Sequence, residues 1–193
     1  IKNNTGEITI RGMKGKYQGG LTKGAVFVEA DSGVVFNKLV RFTVEEGLGG
    51  LEAHLGLPGT VGGAIFMNSK WTNPVSYVGD AVYQATILTL KNETKIVDRS
   101  FFRFSYDSSI IQKTGDIVLR VVFTLVPTQK EQLWQVANES VAYRRESQPQ
   151  GVKSPGCTFR NISKAQAVVA ATPDHTTSAG FLLDHAGLKG KAV

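Results

Sequence analysis

The chain has 193 residues, 41% of them hydrophobic and 20% charged, with a net charge of +6. This balance reads as globular rather than disordered. No run of about 18 apolar residues offers a transmembrane helix, and the opening IKNNTGEITI lacks the basic and apolar regions of a signal peptide. Folding at this length buries roughly 70% of the unfolded surface, so a core forms without staples. The single cysteine, Cys157, can form neither an internal disulfide nor a multi-cysteine metal site, which fits a reducing compartment. The positive charge favours an anionic partner: nucleic acid, a phosphorylated metabolite or a phosphate-bearing cofactor. The missing initiator Met and the ending Lys191-Ala192-Val193 lead us to expect a fragment.

The first 24 residues are rich in Gly, Lys and Asn, with a short apolar run at Ile8 and Ile10. Ala25 to Ala30 reads as a strand. Phe36, Leu39, Val40, Thr43 and Val44 then fall on one face of an amphipathic helix, stopped by Gly47. A glycine-rich stretch runs from Gly47 to Asn68. Val82 to Leu90 and Lys95 to Asp98 read as strands joined by a turn at 91–94. From Ile117 to Val126 the alternation predicts a strand with a strongly apolar face (Ile117, Leu119, Val121, Phe123, Leu125) and a mixed one, ended by Pro127. Thr128 to Glu131 has the form of a capping box. The helix it would open carries Leu133, Trp134, Ala137 and Val141 and stops before Pro149. A basic loop follows to about Asn161, and a last helix spans Ser178 to His185, closed near Gly187. Strands and helices mix without a regular βαβ rhythm, so the fold class is α+β, with a domain boundary near Pro127.

Three segments could carry chemistry. In Gly56 to Ala64, four glycines and a proline leave backbone N–H groups free of Cβ interference, suited to cradling phosphate or letting a planar ring approach. The same residues would equally make a tight structural turn, and they match neither a P-loop nor a dinucleotide fingerprint. Phe104 to Ser109 clusters hydroxyls that could face a polar ligand or water. Around Cys157 lie Arg144, Arg145, Lys153 and Arg160, able to grip a diphosphate or carboxylate. A thiol with its ordinary pKa near 8.5 is mostly protonated at pH 7 and could donate a proton, although nearby cations favour the thiolate. His54, His175 and His185 have no metal-ligand spacing, so each reads as structural or exposed.

Together these segments resemble one family. GLGGLEAHLGLPGTVGGAIFMN is similar to the GLxGLExLxGIPGTVGGAxxxN signature of the UDP-N-acetylenolpyruvoylglucosamine reductases (MurB). FSYDSS, RRESQP…SPGCTFRN and SAGFLLDHAGLKG then resemble three further motifs of that family, in its order, over about residues 28 to 190. The first motif alone would fit the wider superfamily of FAD-linked oxidases.

The resemblance implies a cytoplasmic, monomeric flavoenzyme of peptidoglycan synthesis, of the family's shorter subtype. It implies an FAD-binding domain over 1–127, lacking its first segment, and a truncated substrate domain over 128–193. NADPH would be the co-substrate and a UDP-sugar the substrate, with no nucleic-acid or membrane partner and no metal. Pro58, Gly59, Thr60, Val61, Gly62, Gly63 and Ala64 would contact FAD, largely through the backbone. Tyr106, Arg145 and Asn161 match substrate-contacting positions. Cys157, where the family usually has Ser, would donate the proton that follows hydride transfer. Asp107 stands where the family has an Arg that touches the flavin and the enolpyruvyl carboxylate. Arg103 cannot replace it directly, because four residues along a strand is about 13 Å. Either another cation reaches in, Asp107 turns away, or this branch works differently. The family's first phosphate loop and its C-terminal glutamate would fall outside this sequence, so we expect this piece alone to be inactive. Another FAD-linked oxidoreductase and a catalytically impaired UDP-sugar binder are the alternatives. A nucleic-acid-binding domain is disfavoured, because the aromatics are not interleaved with the cations and no recognition motif is present.

Overall fold

A computed structural model describes residues 6–13, 24–148, 151, 158–188 and 190, without the side chains of 9–13. The chain divides into two compact units, Ile1–Gln148 and Pro149–Val193.

The first unit is built on an antiparallel sheet. Its strands are β1 (Ile8–Met13), β2 (Val26–Asp31), β3 (Leu48–Gly49), β6 (Val82–Leu88), β7 (Thr94–Asp98) and β8 (Ile117–Pro127). A separate hairpin is formed by β4 (Lys70–Thr72) and β5 (Val75–Tyr77). The order across the main sheet is β1-β2-β8-β6-β7, with β3 paired to β8. Among the described residues this unit has four α-helices: α1 (Phe36–Glu45), α2 (Val61–Met67), α3 (Ile111–Thr114) and α4 (Lys130–Ser147).

Helix α1 buries the five residues its periodicity selects, Phe36, Leu39, Val40, Thr43 and Val44. The one polar member is satisfied locally, its hydroxyl donating to Val40 C=O at 2.9 Å. Gly47 follows at φ 68°, a conformation that favours glycine. The core joins the helices to Val28, Ala30, Val121, Phe123 and Leu125 of the central strands.

Strand β8 departs from the expected alternation. Val121, Phe123 and Leu125 are buried, but Ile117 and Leu119 face solvent and Val118 turns inward. The cause is a β-bulge. Thr86 pairs with Arg120, yet its neighbour Ile87 pairs with Val118, leaving Leu119 as the extra residue. One inserted residue inverts every side chain beyond it. The Leu119 carbonyl instead accepts from Ser32 N–H at 2.9 Å.

The expected capping box of α4 does not form. Its N-cap is Gln129, without a side-chain hydrogen bond, and the Thr128 hydroxyl donates to Val126 C=O at 3.0 Å. Thr128 N–H also donates to Gly47 C=O at 2.8 Å, and the helix starts one residue later than the capping pattern places it. Leu133 and Ala137 of α4 are buried in the core built on the sheet. The helix following Pro127 therefore packs within the first compact unit, and the division falls after it.

The second unit contains α5 (Lys164–Val169) and α6 (Ala179–His185). Helix α5 was not expected from periodicity, but its start is written in the sequence. Ser163 accepts from Gln166 N–H while Gln166 Oε1 accepts from Ser163 N–H, a capping box. Helix α6 begins at the Ser178 cap and closes at Gly187, φ 69°, as read.

Candidate functional site

The glycine-rich stretch is bound to the loop after β2. Phe36 N–H donates to Gly59 C=O, Val61 N–H to Val34 C=O and Gly62 N–H to Ser32 C=O, each at 2.9 Å. A Cβ on Gly62 would lie 3.1 Å from Ser32 Cβ and 3.3 Å from Ser32 C=O, so a larger residue would push the two backbones slightly apart. Thr60 caps α2, its hydroxyl accepting from Gly63 N–H at 3.3 Å. The loop thus ends by becoming a helix, and Val61 and Ala64 turn into the core.

Beside it runs a groove of about 470 Å³, lined by Ser32, Thr60, Gly62, Gly63 and Phe66 on one side and by Ile111 and 115–118 on the other. The β8 bulge brings Ile117 and Val118 to this wall. Gly63 gives it an open floor: a Cβ there would meet nothing closer than the Thr60 hydroxyl at 3.6 Å. A planar ring could therefore lie against the main chain. Such a floor would admit the planar ring of a flavin, which Thr60, Gly62 and Gly63 would face.

At the far end of α2, Asn68 closes the helix in the left-handed conformation. The turn at Ser105–Ser108 is fastened there, since Asn68 Nδ2 donates to Ser105 C=O at 2.9 Å. Tyr106 lies on this turn, under Lys70, whose Nζ is 5.5 Å from the ring centre. Asp107 adopts φ 49°, tolerated in turns by Asp, and its carbonyl accepts from Gln112.

The remaining expected site residues are placed differently. Arg145 is exposed near the end of α4, while its neighbour Arg144 turns inward and stacks on Trp71, guanidinium carbon 4.3 Å from the ring centre. Burial lowers the Arg144 pKa from its ordinary value. The Arg144 stem crosses Gly56, where a Cβ would lie 2.9 Å from its Cδ. Asn161 belongs to the second unit, and its Oδ1 accepts from Ala179 N–H at 3.0 Å. Cys157 lies outside the described residues. Trp71 and Lys70 are not singled out by the sequence, and Arg144, read there as one of a cationic cluster, turns inward instead. Nothing local marks Trp71 or Lys70 as neighbours of residues so distant in the chain, although two adjacent arginines were a signal that one could turn inward.

His54 is fully buried, edge-on to Phe36, with Nε2 3.3 Å from the Ser76 hydroxyl and Nδ1 unpartnered among the described residues. Burial foremost, then the Arg144 charge, lowers its pKa to about 4, and Asp80 opposes them. It is structural, as the sequence suggested, and neutral.

An antiparallel sheet, packed helices and a groove lined by α2 and the approach to β8 make up an α+β unit. No family model matches the chain. It is, however, 32% identical over 165 residues to the UDP-N-acetylenolpyruvoylglucosamine reductase of Clostridium beijerinckii, covering 85% of this chain and 49% of that protein. The Lactobacillus acidophilus reductase is 33% identical, over 83% of this chain and 57% of its own length. The crystal structure of the Thermus caldophilus reductase (MurB) superposes with a TM-score of 0.69 at 31% identity, over 86% of this chain and 55% of that one. The chain is therefore similar to this reductase family in sequence and in fold, and it spans about half the length of the curated relatives it matches.

Among the described residues no helix is long and apolar enough to cross a membrane, and no cluster of His, Cys, Asp or Glu could hold a metal ion.

Proposed function

We propose that the protein carrying this chain is an FAD-dependent, NADPH-consuming reductase that converts UDP-N-acetylglucosamine enolpyruvate to UDP-N-acetylmuramate in peptidoglycan synthesis. The observation that carries this reading is the glycine-floored groove, made by the very segment that resembles the family's signature. In this reading Pro58 to Ala64 hold FAD, with Thr60, Gly62 and Gly63 on its face and the apolar wall of Phe66, Ile111 and Val118 excluding water. Bound there, FAD would supply the hydride chemistry, relaying two electrons from NADPH to the enolpyruvyl double bond.

This chain's own residues then bind and protonate. Tyr106 faces the substrate beside the end of α2. Arg145 and Asn161 contact the UDP-sugar. Cys157 delivers the proton to the carbon adjacent to the new C–H bond, a step suited to a thiol, which is a stronger acid than an alcohol. The functional division into a cofactor part over 1–127 and a substrate part over 128–193 belongs to the same reading, as do the cytoplasmic location and the monomeric state. The net charge of +6 suits two ligands that each carry a diphosphate.

The test is anaerobic. The flavin of the protein carrying this chain is reduced, UDP-N-acetylglucosamine enolpyruvate is added, and the oxidised-flavin absorbance is followed. Rapid return of the absorbance is expected. Flavin that stays reduced with this substrate would exclude the reductase reading and favour another FAD-linked oxidoreductase or an impaired UDP-sugar binder. Cys157→Ala is expected to slow the return at least about 100-fold, the lower range for loss of a positioned acid. An unchanged rate would remove Cys157 as the proton donor.

A further inference from the structure

We infer that Lys70 is the cation that receives the substrate's carboxylate in this chain, an assignment that rests on the reductase reading above. Its position follows from how α2 ends. The Asn68 side chain works in two directions: Oδ1 accepts from Gly79 N–H at 3.1 Å, and Nδ2 donates to Ser105 C=O at 2.9 Å. The 105–108 turn is thereby tied to the helix end, and Lys70, two residues on, comes to lie over Tyr106.

A second set of bonds fixes the same turn to the groove. Ser109 Oγ and Gln112 Nε2 both donate to Phe66 C=O at 2.7 Å, and Phe66 and Ile111 both line the groove. The Lys70–Tyr106 pair therefore lies past the C-terminal end of α2, the helix whose Gly62, Gly63 and Phe66 line the groove, without lining the groove itself. The length of α2, about 10 Å for seven residues, separates it from the glycine loop.

An enolpyruvyl group carries a carboxylate, which must meet a cation where water is partly excluded. Lys70 is half-buried, and no ion pair engages it among the described residues. Its contact with the ring face consumes none of its three N–H donors. Of the other cations on the neighbouring segments, Arg99 donates to Gly79 C=O and pairs with Asp80, Arg103 is exposed, and Arg144 is stacked on Trp71. Lys70 thus supplies the charge that Asp107, on the adjacent turn, cannot.

The assignment is tested by carboxylate discrimination. In the FAD-loaded protein carrying this chain, UDP-N-acetylglucosamine enolpyruvate and the carboxylate-free UDP-N-acetylglucosamine are each titrated by calorimetry. Lys70→Met keeps the apolar stem. It is expected to weaken the first ligand about 10- to 100-fold, as loss of a charge-assisted hydrogen bond does, and to leave the second unchanged. Lys70→Arg is expected to restore most of the loss. Unaltered binding of the enolpyruvate ligand in Lys70→Met would overturn the assignment and leave the reductase reading standing. An equal loss for both ligands would also overturn it, because Lys70 would then serve the shared nucleotide-sugar or the fold. Wild-type protein that binds neither ligand would overturn both readings.

Discussion

Gly79→Ala is expected to destabilise the first unit by about 3 kcal/mol, the upper range for overpacking in a well-filled interior. A Cβ at this position would lie 2.5 Å from Asn68 Oδ1 and 2.6 and 2.9 Å from two carbons of the Phe104 ring. Neither neighbour can give way cheaply. Asn68 Oδ1 holds the N–H of Gly79 itself, and Phe104 is stacked on the fully buried Phe102, with ring centres 5.0 Å apart and planes 6° from parallel. Displacing Asn68 also releases the turn that carries Tyr106. Urea unfolding of the variant should show the loss at unchanged m-value, accompanied by weaker ligand binding. A stability within about 0.5 kcal/mol of wild type, as for an unconstrained surface change, would mean that this junction is not rigid.

The second large effect is a pH dependence set by His54. In the unfolded chain its imidazole takes up a proton near pH 6.5. In the fold, burial foremost and then Arg144 lower that to about 4. Between these values the unfolded state binds more protons than the folded one, so stability rises with pH across the window and is lost as pH falls. From pH 7.5 to 4.5 this one group should remove about 2.5 kcal/mol. Carboxylates titrate over part of the same range, so the difference between wild type and His54→Gln is the quantity to measure. The wild-type stability curve should be steeper by that amount. Parallel curves for the two proteins would show that His54 does not titrate as a buried, isolated imidazole.

Local pattern in the sequence was translated faithfully wherever one element decides its own shape. Helix α1 needed only its five spaced residues and Gly47, and α6 only Ser178 and Gly187. Strand β8 shows where that reasoning stops. Its alternation was read correctly from Val121 to Leu125, but the bulge at Leu119 is settled by the register with β6 and by Ser32, residues far away in the chain. Thr128 shows the same limit, for its hydroxyl had a competing acceptor in Val126 that the capping pattern does not reveal. In the candidate site, the glycine segment was legible because four glycines in nine residues have few uses. That Val61 and Ala64 point inward, leaving Thr60, Gly62 and Gly63 on the groove, depends on the helix that begins at Val61. The inward turn of Arg144 and the seating of Lys70 over Tyr106 are products of tertiary packing alone.

The most direct measurement is the flavin content of the protein carrying this chain, purified as wild type and as Gly63→Val. Gly63 lines the groove, and a Cβ there would make only an ordinary 3.6 Å contact with the Thr60 hydroxyl, so valine is expected to keep the fold and to occupy the place of a planar ring. Wild type with bound FAD, and a variant that has lost it at unchanged thermal stability of the flavin-free protein, is the predicted result. A Gly63→Val protein that retains FAD as tightly as wild type would place the cofactor elsewhere and contradict the account of the groove.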